Sequence, residues 1–214
     1  MTIAEGGGEW LSTAPVLPYA RLVELREREI DPDPLEQLQR WLEESPEERI
    51  ALATATKEGA PSVRMVLLKG ADARGLAFYT SYESRKGREL EENPRGALLL
   101  YWPDLGRQVR VEGAVERVPA EESDAYWATR PPGSRVGAAA SPQSAVIPDR
   151  DALEELVADV RARHGDDPPR PASWGGFRLV PETYEFWQHR DDRLHDRLRY
   201  QRDAGSWLVE RLAP

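Results

Sequence analysis

Cysteine is absent from the 214-residue sequence, so disulfide bonds, thiolate nucleophiles and cysteine-ligated metals are excluded. The three histidines, His164, His189 and His195, do not have the spacing of metal ligands, and we expect no metal site. No apolar run reaches the roughly 18 residues that a membrane-spanning helix needs. The net charge of −9 argues against a general nucleic-acid or anionic-membrane binder, because such proteins present positive potential.

Several sequence signatures of enzymes are missing too. No nucleophile elbow, Walker loop or dinucleotide-binding glycine fingerprint is present, and Gly6-Gly7-Gly8 precedes no strand–helix unit. The first eight residues lack a basic region and an apolar core, so we expect no secretory signal and a cytoplasmic protein. Lysine is rare, since Lys57, Lys69 and Lys86 stand beside 26 arginines. A codon bias toward arginine explains most of this difference, but the neighbours of Lys69 and Lys86 merit attention.

The chain begins with an arm and a capped helix. We expect residues 1–30 to form a partly mobile arm, with a candidate helix at 19–30, and residues 31–214 to form a single domain. Asp33 and Pro34 are the residue types of a helix N-cap and a first helical position. The helix that they start carries an apolar stripe, which belongs in a core: Leu35, Leu38, Trp41 and Leu42.

From residue 50 onward the apolar period is mainly that of strands. Turn signals separate the predicted strands, which are 50–56, 61–70, 76–80, 97–102, 108–118, 177–180, 183–188, 193–201 and 206–212. Helices are predicted at 84–92, capped by Ser84, at 119–129 and at 149–164, and an irregular loop at 137–148. The last helix places four side chains inward: Leu153, Leu156, Val157 and Val160. Antiparallel strands joined by short turns predict a mainly β barrel with flanking helices rather than a doubly wound sheet.

The clearest sign of a ligand follows the strand that ends in Phe78-Tyr79-Thr80. Arg85 and Lys86 fall in the first turn of the next helix, where free backbone N–H groups already favour an anion. Cations are unfavourable at that end of the helix dipole unless an anion is present. This stretch therefore predicts a bound phosphate or carboxylate.

Polar residues elsewhere could serve the same ligand, although each alone is better explained as ordinary structure. Arg64 and Lys69 bound an apolar strand, and a buried strand with unpaired cations at its ends is costly. The amide of Gln108 could contact the edge of a heterocycle, and Gln143-Ser144 could do so from its loop.

Two further groups are defined by their spacing. Tyr126, Arg130 and Ser134 are four residues apart, which places Tyr126 and Arg130 on one helix face and predicts a second phosphate cradle. An extended segment at 193–197 would place three side chains on one face, where they could bind an anion: Arg193, His195 and Arg197.

In their order and spacing, these segments resemble the pyridoxine (pyridoxamine) 5′-phosphate oxidase family over about residues 33–214. The matching stretches are Arg64 to Lys69, Phe78-Tyr79-Thr80, Ser84-Arg85-Lys86, Arg107-Gln108-Val109, Arg130-Pro131, Gln143-Ser144, Trp174-Gly175-Gly176, Glu185 to Gln188, Arg193 to Arg197 and Arg211 to Pro214. The resemblance implies a split β-barrel homodimer that holds flavin mononucleotide (FMN) at the subunit interface.

The resemblance also implies roles for individual residues. FMN would be held, partly by the partner subunit, by Arg64, Met65, Val66, Leu67, Leu68, Lys69, Tyr79, Thr80, Arg85, Lys86, Gln108, Gln143, Ser144, Trp187 and Arg197. The substrate phosphate would be held by Lys69, Tyr126, Arg130 and Ser134. Arg193 and His195 would be the catalytic residues, against the pyridine ring. The family chemistry is hydride transfer from the substrate C4′ carbon to flavin N5, which gives pyridoxal 5′-phosphate; dioxygen then reoxidises the flavin and yields hydrogen peroxide.

Three stretches depart from the family pattern. Tyr19-Ala20-Arg21 does not match an N-terminal pair that closes over the substrate, residues 45–50 differ at the entry to the first strand, and His189 replaces a usual glycine. Because these departures concern the substrate side, a sister flavin oxidase acting on another ring, such as a phenazine precursor, remains an alternative. A non-catalytic flavin-binding protein is the other, and the complete set of substrate-phosphate residues disfavours it.

Overall fold

The computed structural model of the protein describes residues 24–214. The expectations for residues 1–23, including Tyr19-Ala20-Arg21, lie outside the described residues. The helix expected over 19–30 is wrong for its described part, because residues 24–30 form an irregular segment with turns. This segment alternates acidic and basic residues without an apolar stripe, and ion pairs such as that between Glu27 and Arg211 hold it instead.

The described residues form five α-helices, nine strands and a short 3₁₀-helix at Pro103–Leu105. The helices are α1 (Pro34–Glu44), α2 (Arg85–Glu92), α3 (Ala120–Thr129), α4 (Pro132–Ala140) and α5 (Arg150–His164). The strands are β1 (Arg49–Ala55), β2 (Pro61–Leu67), β3 (Gly70–Asp72), β4 (Gly75–Ser81), β5 (Arg95–Trp102), β6 (Arg107–Arg117), β7 (Trp174–Gln188), β8 (Asp196–Asp203) and β9 (Ser206–Arg211). None of the helices within 24–214 is long and apolar enough to cross a membrane.

All the strand pairings in this range are antiparallel and belong to a curled sheet, as the sequence predicts. The order is β2-β1-β5-β6-β7-β4-β3, and β8 and β9 extend it from β7. Strand β7 pairs with β6 along one edge. On its other edge, the first half of β7 pairs with β4 and the second half with β8. Strand β7 therefore joins the β3–β4 part of the sheet to the β8–β9 part.

The predicted helix α1 covers the barrel core. Asp33 caps it, with a side-chain oxygen accepting from the N–H of Leu35 at 2.8 Å. Trp41 and Leu38 are buried, and the Trp41 ring makes edge contacts with Phe186 and Trp102 at centroid distances of 5.2 and 5.8 Å. Leu38, Trp41 and Leu42 of the predicted stripe therefore pack in or against the core, whereas Leu35 is half-buried outside it.

Strand β7 is one strand of fifteen residues, so the prediction of two strands at 177–180 and 183–188 is wrong. The prediction separated the two strands at Pro181, because proline has no N–H to donate to a neighbouring strand. Pro181 instead lies opposite Gly113, at a bulge where the register of β6 and β7 shifts. A Cβ on Gly113 would lie 2.0 Å from the carbonyl oxygen of Val180, so this close approach requires glycine.

The loop expected at 137–148 and the inward face of α5 also need correction. Residues up to Ala140 belong to α4, which Pro132 starts in its first turn. Helix α5 packs on α4 mainly through Val160 and Val157, while Leu156 is exposed rather than inward. Because α5 covers another helix and not the sheet, its contact stripe is narrower than the sequence pattern predicts.

Candidate active site

A cavity of about 740 Å³ lies between the sheet and helices α2, α3 and α4. Most of the residues predicted from α2, α3 and the neighbouring strands line it: Met65, Val66, Leu67, Lys69, Tyr79, Thr80, Lys86, Tyr126, Arg130, Ser134 and Gln143. Residues of β2, β4, α2, α3 and α4, and three residues between elements, Lys69, Arg130 and Gln143, thus line one cavity. The role that each can play depends on the contacts it makes.

Lys86 is a buried cation in the first turn of α2. Ser84 caps this helix by accepting from the N–H of Gly87 at 3.2 Å, and its hydroxyl lies 3.4 Å from Lys86 Nζ. Lys86 Nζ also donates to Thr80 Oγ1 at 3.0 Å and to Gln143 Oε1 at 3.1 Å. Burial, together with the charge of Arg64, lowers the pKa of Lys86 to about 8. Within the described part of the chain, the hydrogen-bond partners of Lys86 are neutral oxygens, and a cation so placed on a cavity wall is a strong anion-binding group.

Arg64 and Arg85 meet at a buried carboxylate, Glu89, which the sequence analysis missed. Arg85 Nε donates to Glu89 Oε1 at 2.8 Å, and Arg64 Nη2 lies 3.2 Å from Glu89 Oε2. Burial alone would raise the pKa of Glu89, but hydrogen bonds from Ser62, Thr54 and the two arginines lower it to about 2. With Lys86, three cations surround one carboxylate, so the cluster keeps a positive balance.

The segment from Arg64 to Lys69 is not a buried strand, which corrects the expectation. In edge strand β2, Met65 and Leu67 are 60% and 48% exposed, and Leu68 lies buried just beyond the strand end. Lys69 Nζ lies 2.5 Å from the carboxylate of Glu48. Within residues 24–214, β2 pairs with β1 along one edge and with no strand along the other, which a pattern of apolar residues does not reveal.

Arg130 is the most unusual group in the cavity. Its guanidinium lies over the rings of Trp174 and Trp127, at 4.6 and 5.1 Å from their centroids. Its Nη1 is buried and has no hydrogen-bond partner within the described residues. Burial lowers the pKa of Arg130. A buried guanidinium donor without an acceptor is costly, and an anionic ligand would satisfy it.

Tyr126 and Arg130 do not share a helix face, so the predicted helical arrangement is wrong, although both residues do line the same cavity. Arg130 is the C-cap of α3 and has extended backbone angles, because Pro131 follows it. Ser134 lies in the first turn of the next helix, α4, which begins at Pro132. The Tyr126 ring stacks on that of Tyr79, with centroids 4.0 Å apart. Tyr126, Arg130 and Ser134 still line one cavity.

The stretch Trp174-Gly175-Gly176 builds the aromatic wall of this cavity. Trp174 stacks on Tyr79 at 5.7 Å and lines the cavity, although sequence reasoning gave it no role. A Cβ on Gly176 would lie 2.7 Å from the ring of Tyr79, so the ring packs directly on the backbone. Trp174, Tyr79 and Arg130 are far apart in sequence and meet only in the folded chain, so no local sequence pattern could have shown that they form one wall.

A second group of predicted residues lies at the far end of β7. Gln108, Trp187 and Arg197 are direct cross-strand neighbours on β6, β7 and β8 and therefore share one face of the sheet. Arg197 Nε donates to the buried carboxylate of Glu185 at 2.7 Å, and this hydrogen bond raises the pKa of Arg197. The His195 ring lies 4.6 Å from that of Trp187.

Arg193 and His195 lie in the turn before β8. The prediction of a strand that starts at residue 193 and places Arg193, His195 and Arg197 on one face is therefore wrong. Arg193 has a φ of +64° and donates its N–H to the carbonyl of Arg190 at 3.1 Å. Ser144 has a φ of +73°, and Ala204, in the β8–β9 turn, is the other non-glycine residue with positive φ in the described chain. Such conformations are strained and concentrate at functional sites.

The two groups are far apart along one chain. Tyr79 pairs with Gly176 near the start of β7, and Trp187 lies eleven residues further along the same strand. At about 3.3 Å per residue, this is roughly 36 Å of extended chain. Gln108, Trp187, Arg193, His195 and Arg197, together with Arg64, Leu68, Arg85 and Ser144, do not line the cavity around Arg130.

A curled antiparallel sheet with flanking helices and a cationic cavity places this chain in the class of FMN-binding split barrels. The fold is shared with an FMN-binding protein of Nostoc punctiforme PCC 73102 that is related to pyridoxamine 5′-phosphate oxidase. The TM-score is 0.68 at 19% identity, over 90% of this chain and all of the other.

The chain belongs to the pyridoxine/pyridoxamine 5′-phosphate oxidase family, as the sequence resemblance predicts. Residues 35–164 match the family described as pyridoxamine 5′-phosphate oxidase. Residues 174–214 match the pyridoxine 5′-phosphate oxidase C-terminal dimerisation region, which supports a homodimer.

Curated relatives are similar over most of their length. The pyridoxine/pyridoxamine 5′-phosphate oxidase of Cupriavidus taiwanensis is 54% identical over 89% of this chain and 93% of its own. The enzyme of the same name from Burkholderia mallei is 54% identical over 87% and 91%. A solved structure of PhzG from Burkholderia lata 383, in complex with tetrahydrophenazine-1-carboxylic acid, has a TM-score of 0.84 and 37% identity over 90% of this chain and 98% of that one. The family relatives support an oxidoreductase.

Proposed function

We propose that this protein oxidises pyridoxine 5′-phosphate and pyridoxamine 5′-phosphate to pyridoxal 5′-phosphate, with FMN as cofactor, dioxygen as electron acceptor and hydrogen peroxide as product. The observation that carries the proposal is that Arg130 Nη1 has no hydrogen-bond partner among the residues that the structure describes, in a cavity that Lys69, Tyr126 and Ser134 also line. A phosphate accepts parallel hydrogen bonds from a guanidinium, and a lysine and hydroxyl groups satisfy its remaining oxygens.

The residues present fit FMN as well. Arg64, Arg85 and Lys86 keep a positive balance around Glu89, which suits a phosphate dianion at the start of α2. In our proposal Met65 to Lys69, Tyr79, Thr80, Gln143 and Ser144 complete this part of the binding site. When bound, FMN supplies the hydride acceptor for the oxidation and passes the electrons to dioxygen.

The remaining proposed site residues bind and orient the reacting ring. Gln108, Trp187 and Arg197 present an amide, an aromatic face and a cation from neighbouring strands to the flavin. Arg193 and His195 contact the pyridine ring in this proposal. Their role is to hold the substrate carbon in position and to fix the charge around it, because orientation is the protein's main contribution to such a reaction.

A homodimer brings the two groups together. Because β7 separates them by eleven residues within one chain, we propose that each site takes its phosphate-binding cluster from one subunit and its ring-binding residues from the other. The exposed apolar side chains of edge strand β2, Val63, Met65 and Leu67, support a surface that is covered in the assembly.

The test is turnover with peroxide detection. Purified protein loaded with FMN should convert pyridoxine 5′-phosphate and pyridoxamine 5′-phosphate to pyridoxal 5′-phosphate with stoichiometric hydrogen peroxide. Pyridoxine without its phosphate is the matched control and should require a much higher concentration. A holoprotein that produces no peroxide from either phosphorylated substrate would exclude the proposal.

The alternative of a sister oxidase rests on the likeness to PhzG, whose bound tetrahydrophenazine-1-carboxylic acid carries a carboxylate rather than a phosphate. The same peroxide assay separates the two functions. Turnover of tetrahydrophenazine-1-carboxylic acid with no turnover of the phosphorylated pyridines would favour the sister oxidase.

Affinity for FMN should fall as the pH rises above about 8, where Lys86 loses its proton in the free protein. Because a bound dianion stabilises the charged ammonium, affinity is complete below this pKa and falls by up to about tenfold per pH unit above it. A phosphate monoester, with a second pKa near 6, does not itself titrate in this range. Fluorescence titrations of apoprotein between about pH 7 and 9 would measure the effect.

Riboflavin, which lacks the phosphate, is the control for this pH dependence. Its affinity should stay level over the same range. An FMN affinity that is equally level would show that Lys86 does not face the phosphate.

A further inference from the structure

The turn between β7 and β8 holds the His195 ring in an unusually defined way. The main-chain N–H of Arg190 donates to His195 Nδ1 at 3.0 Å. A ring nitrogen that accepts a hydrogen bond carries no proton, so the neutral ring has its proton on Nε2. Protonation of Nδ1 would place two donors against each other and break this contact.

His189 packs beside the same ring. Its centroid lies 5.1 Å from that of His195 and 6.1 Å from that of Trp187, so two aromatic side chains flank His195. His189 is anchored through its main-chain N–H, which donates to the carbonyl of Gly106 at 2.8 Å. A glycine at this position would leave one side of His195 open to water.

The charged groups around His195 oppose its protonation on balance. His189 and Arg193 act against a positive imidazole, and Asp192 favours one. The guanidinium of Arg190 is paired with Glu24 at 3.1 Å, and Asp191 lies 3.6 Å from His189 Nε2. Burial, then His189 and Arg193, lower the pKa of His195.

We propose that His189 is a positioning residue which, with the main-chain N–H of Arg190, fixes His195 as the neutral imidazole with its proton on Nε2. His195 then meets the substrate as a neutral hydrogen-bond donor at Nε2 and not as a cation or a base. The second statement rests on the proposed function, whereas the first concerns the protein alone. The positive charge near the ring is left to Arg193.

The tautomer of His195 can be measured directly, because the chain has only three histidines to assign. In holoprotein labelled with ¹⁵N-histidine, long-range ¹H–¹⁵N spectra distinguish the tautomers, and single variants assign each ring. We expect His195 in the wild type to show a protonated Nε2 and an unprotonated Nδ1 near neutral pH. A protonated Nδ1, or an even mixture of tautomers, would overturn the proposal without any variant having to fold.

Two variants test the role of the His189 ring. His189→Gly should raise the titration midpoint of His195 by roughly 0.5–1 pH unit and mix its tautomers, because it removes the covering ring and the electrostatic effect of His189 on His195. His189→Phe, which keeps an aromatic ring, should retain the wild-type tautomer. His164→Gln, which changes an exposed residue at the end of α5, is the matched control and should leave the His195 spectrum unchanged. An unaltered His195 midpoint and tautomer in His189→Gly would contradict the proposal.

The kinetic consequence is tested apart from the spectra. If neutral His195 is the active form, the acidic limb of the kcat/KM profile should move to higher pH in His189→Gly by the same amount as the spectroscopic midpoint. A protein with the expected tautomer but no activity on phosphorylated pyridines would retain the positioning of His195 and exclude the proposed function. An acidic limb that does not follow the midpoint would overturn the neutral-donor role.

Discussion

Arg130→Ala should raise the KM for pyridoxine 5′-phosphate by about 10- to 100-fold, and FMN content should stay unchanged. The buried Nη1 of the guanidinium has no hydrogen-bond partner among residues 24–214, and the group lies over two tryptophan rings, so it is already oriented for an anion. Losing a charged hydrogen bond of this kind costs about 1.5–3 kcal/mol, which corresponds to the predicted change in KM. Steady-state kinetics with peroxide detection would measure it.

Two variants serve as controls for Arg130. Arg130→Lys keeps the charge but loses the planar fork, so its KM should lie between those of the wild type and the alanine variant. Arg150→Ala removes an exposed arginine of α5 and should leave the KM unchanged. If Arg130→Ala has wild-type kinetics on the phosphorylated substrate, the phosphate is bound elsewhere and the sister-oxidase alternative becomes the better one.

Lys86→Met should weaken FMN binding by about 10- to 100-fold, since it removes a buried ammonium that has no carboxylate within hydrogen-bond distance among the described residues. Methionine has nearly the same length and fills the same space. Because the substitution also removes the cost of burying a charge, the apoprotein should remain folded. Fluorescence titration with FMN would give the dissociation constant.

Lys57→Met is the matched control for Lys86, because Lys57 is exposed in the turn between β1 and β2. It should bind FMN as the wild type does. Riboflavin should bind to Lys86→Met and to the wild type with similar affinity. An FMN dissociation constant for Lys86→Met within about twofold of the wild-type value would place the flavin phosphate away from α2.

Local rules predicted the parts of the site that local geometry builds. The cap at Ser84 and the helix behind it follow from residue types within four positions, so these residue types alone place Lys86 at a helix N-terminus. Glu89 is different, because its significance depends on Thr54, Ser62 and Arg64, which are 25 or more residues away in sequence. No local pattern distinguishes it from a solvated glutamate.

The errors in the fold have a similar origin. A proline normally ends a strand, and only the pairing of Pro181 with a bulge in β6 lets β7 continue through it. The alternation of basic and polar residues around His195 has the period of a strand, but the positive φ of Arg193 ends that alternation. The period of a sequence pattern predicts which residues could share a face of a strand, but it does not predict where a residue with positive φ interrupts that strand.

The length of β7 has a consequence for how two damaged chains behave together. In the proposed dimer each β7 contributes its first half to one site and its last residues to the other, so every site depends on both polypeptides. A chain that lacks Lys86 and a chain that lacks His195 are each defective in both sites of their own dimer. When the two chains associate, one site lacks both Lys86 and His195, and the other site contains both residues. Mixed dimers of the two defective variants should therefore regain wild-type FMN binding and catalysis in one of their two sites.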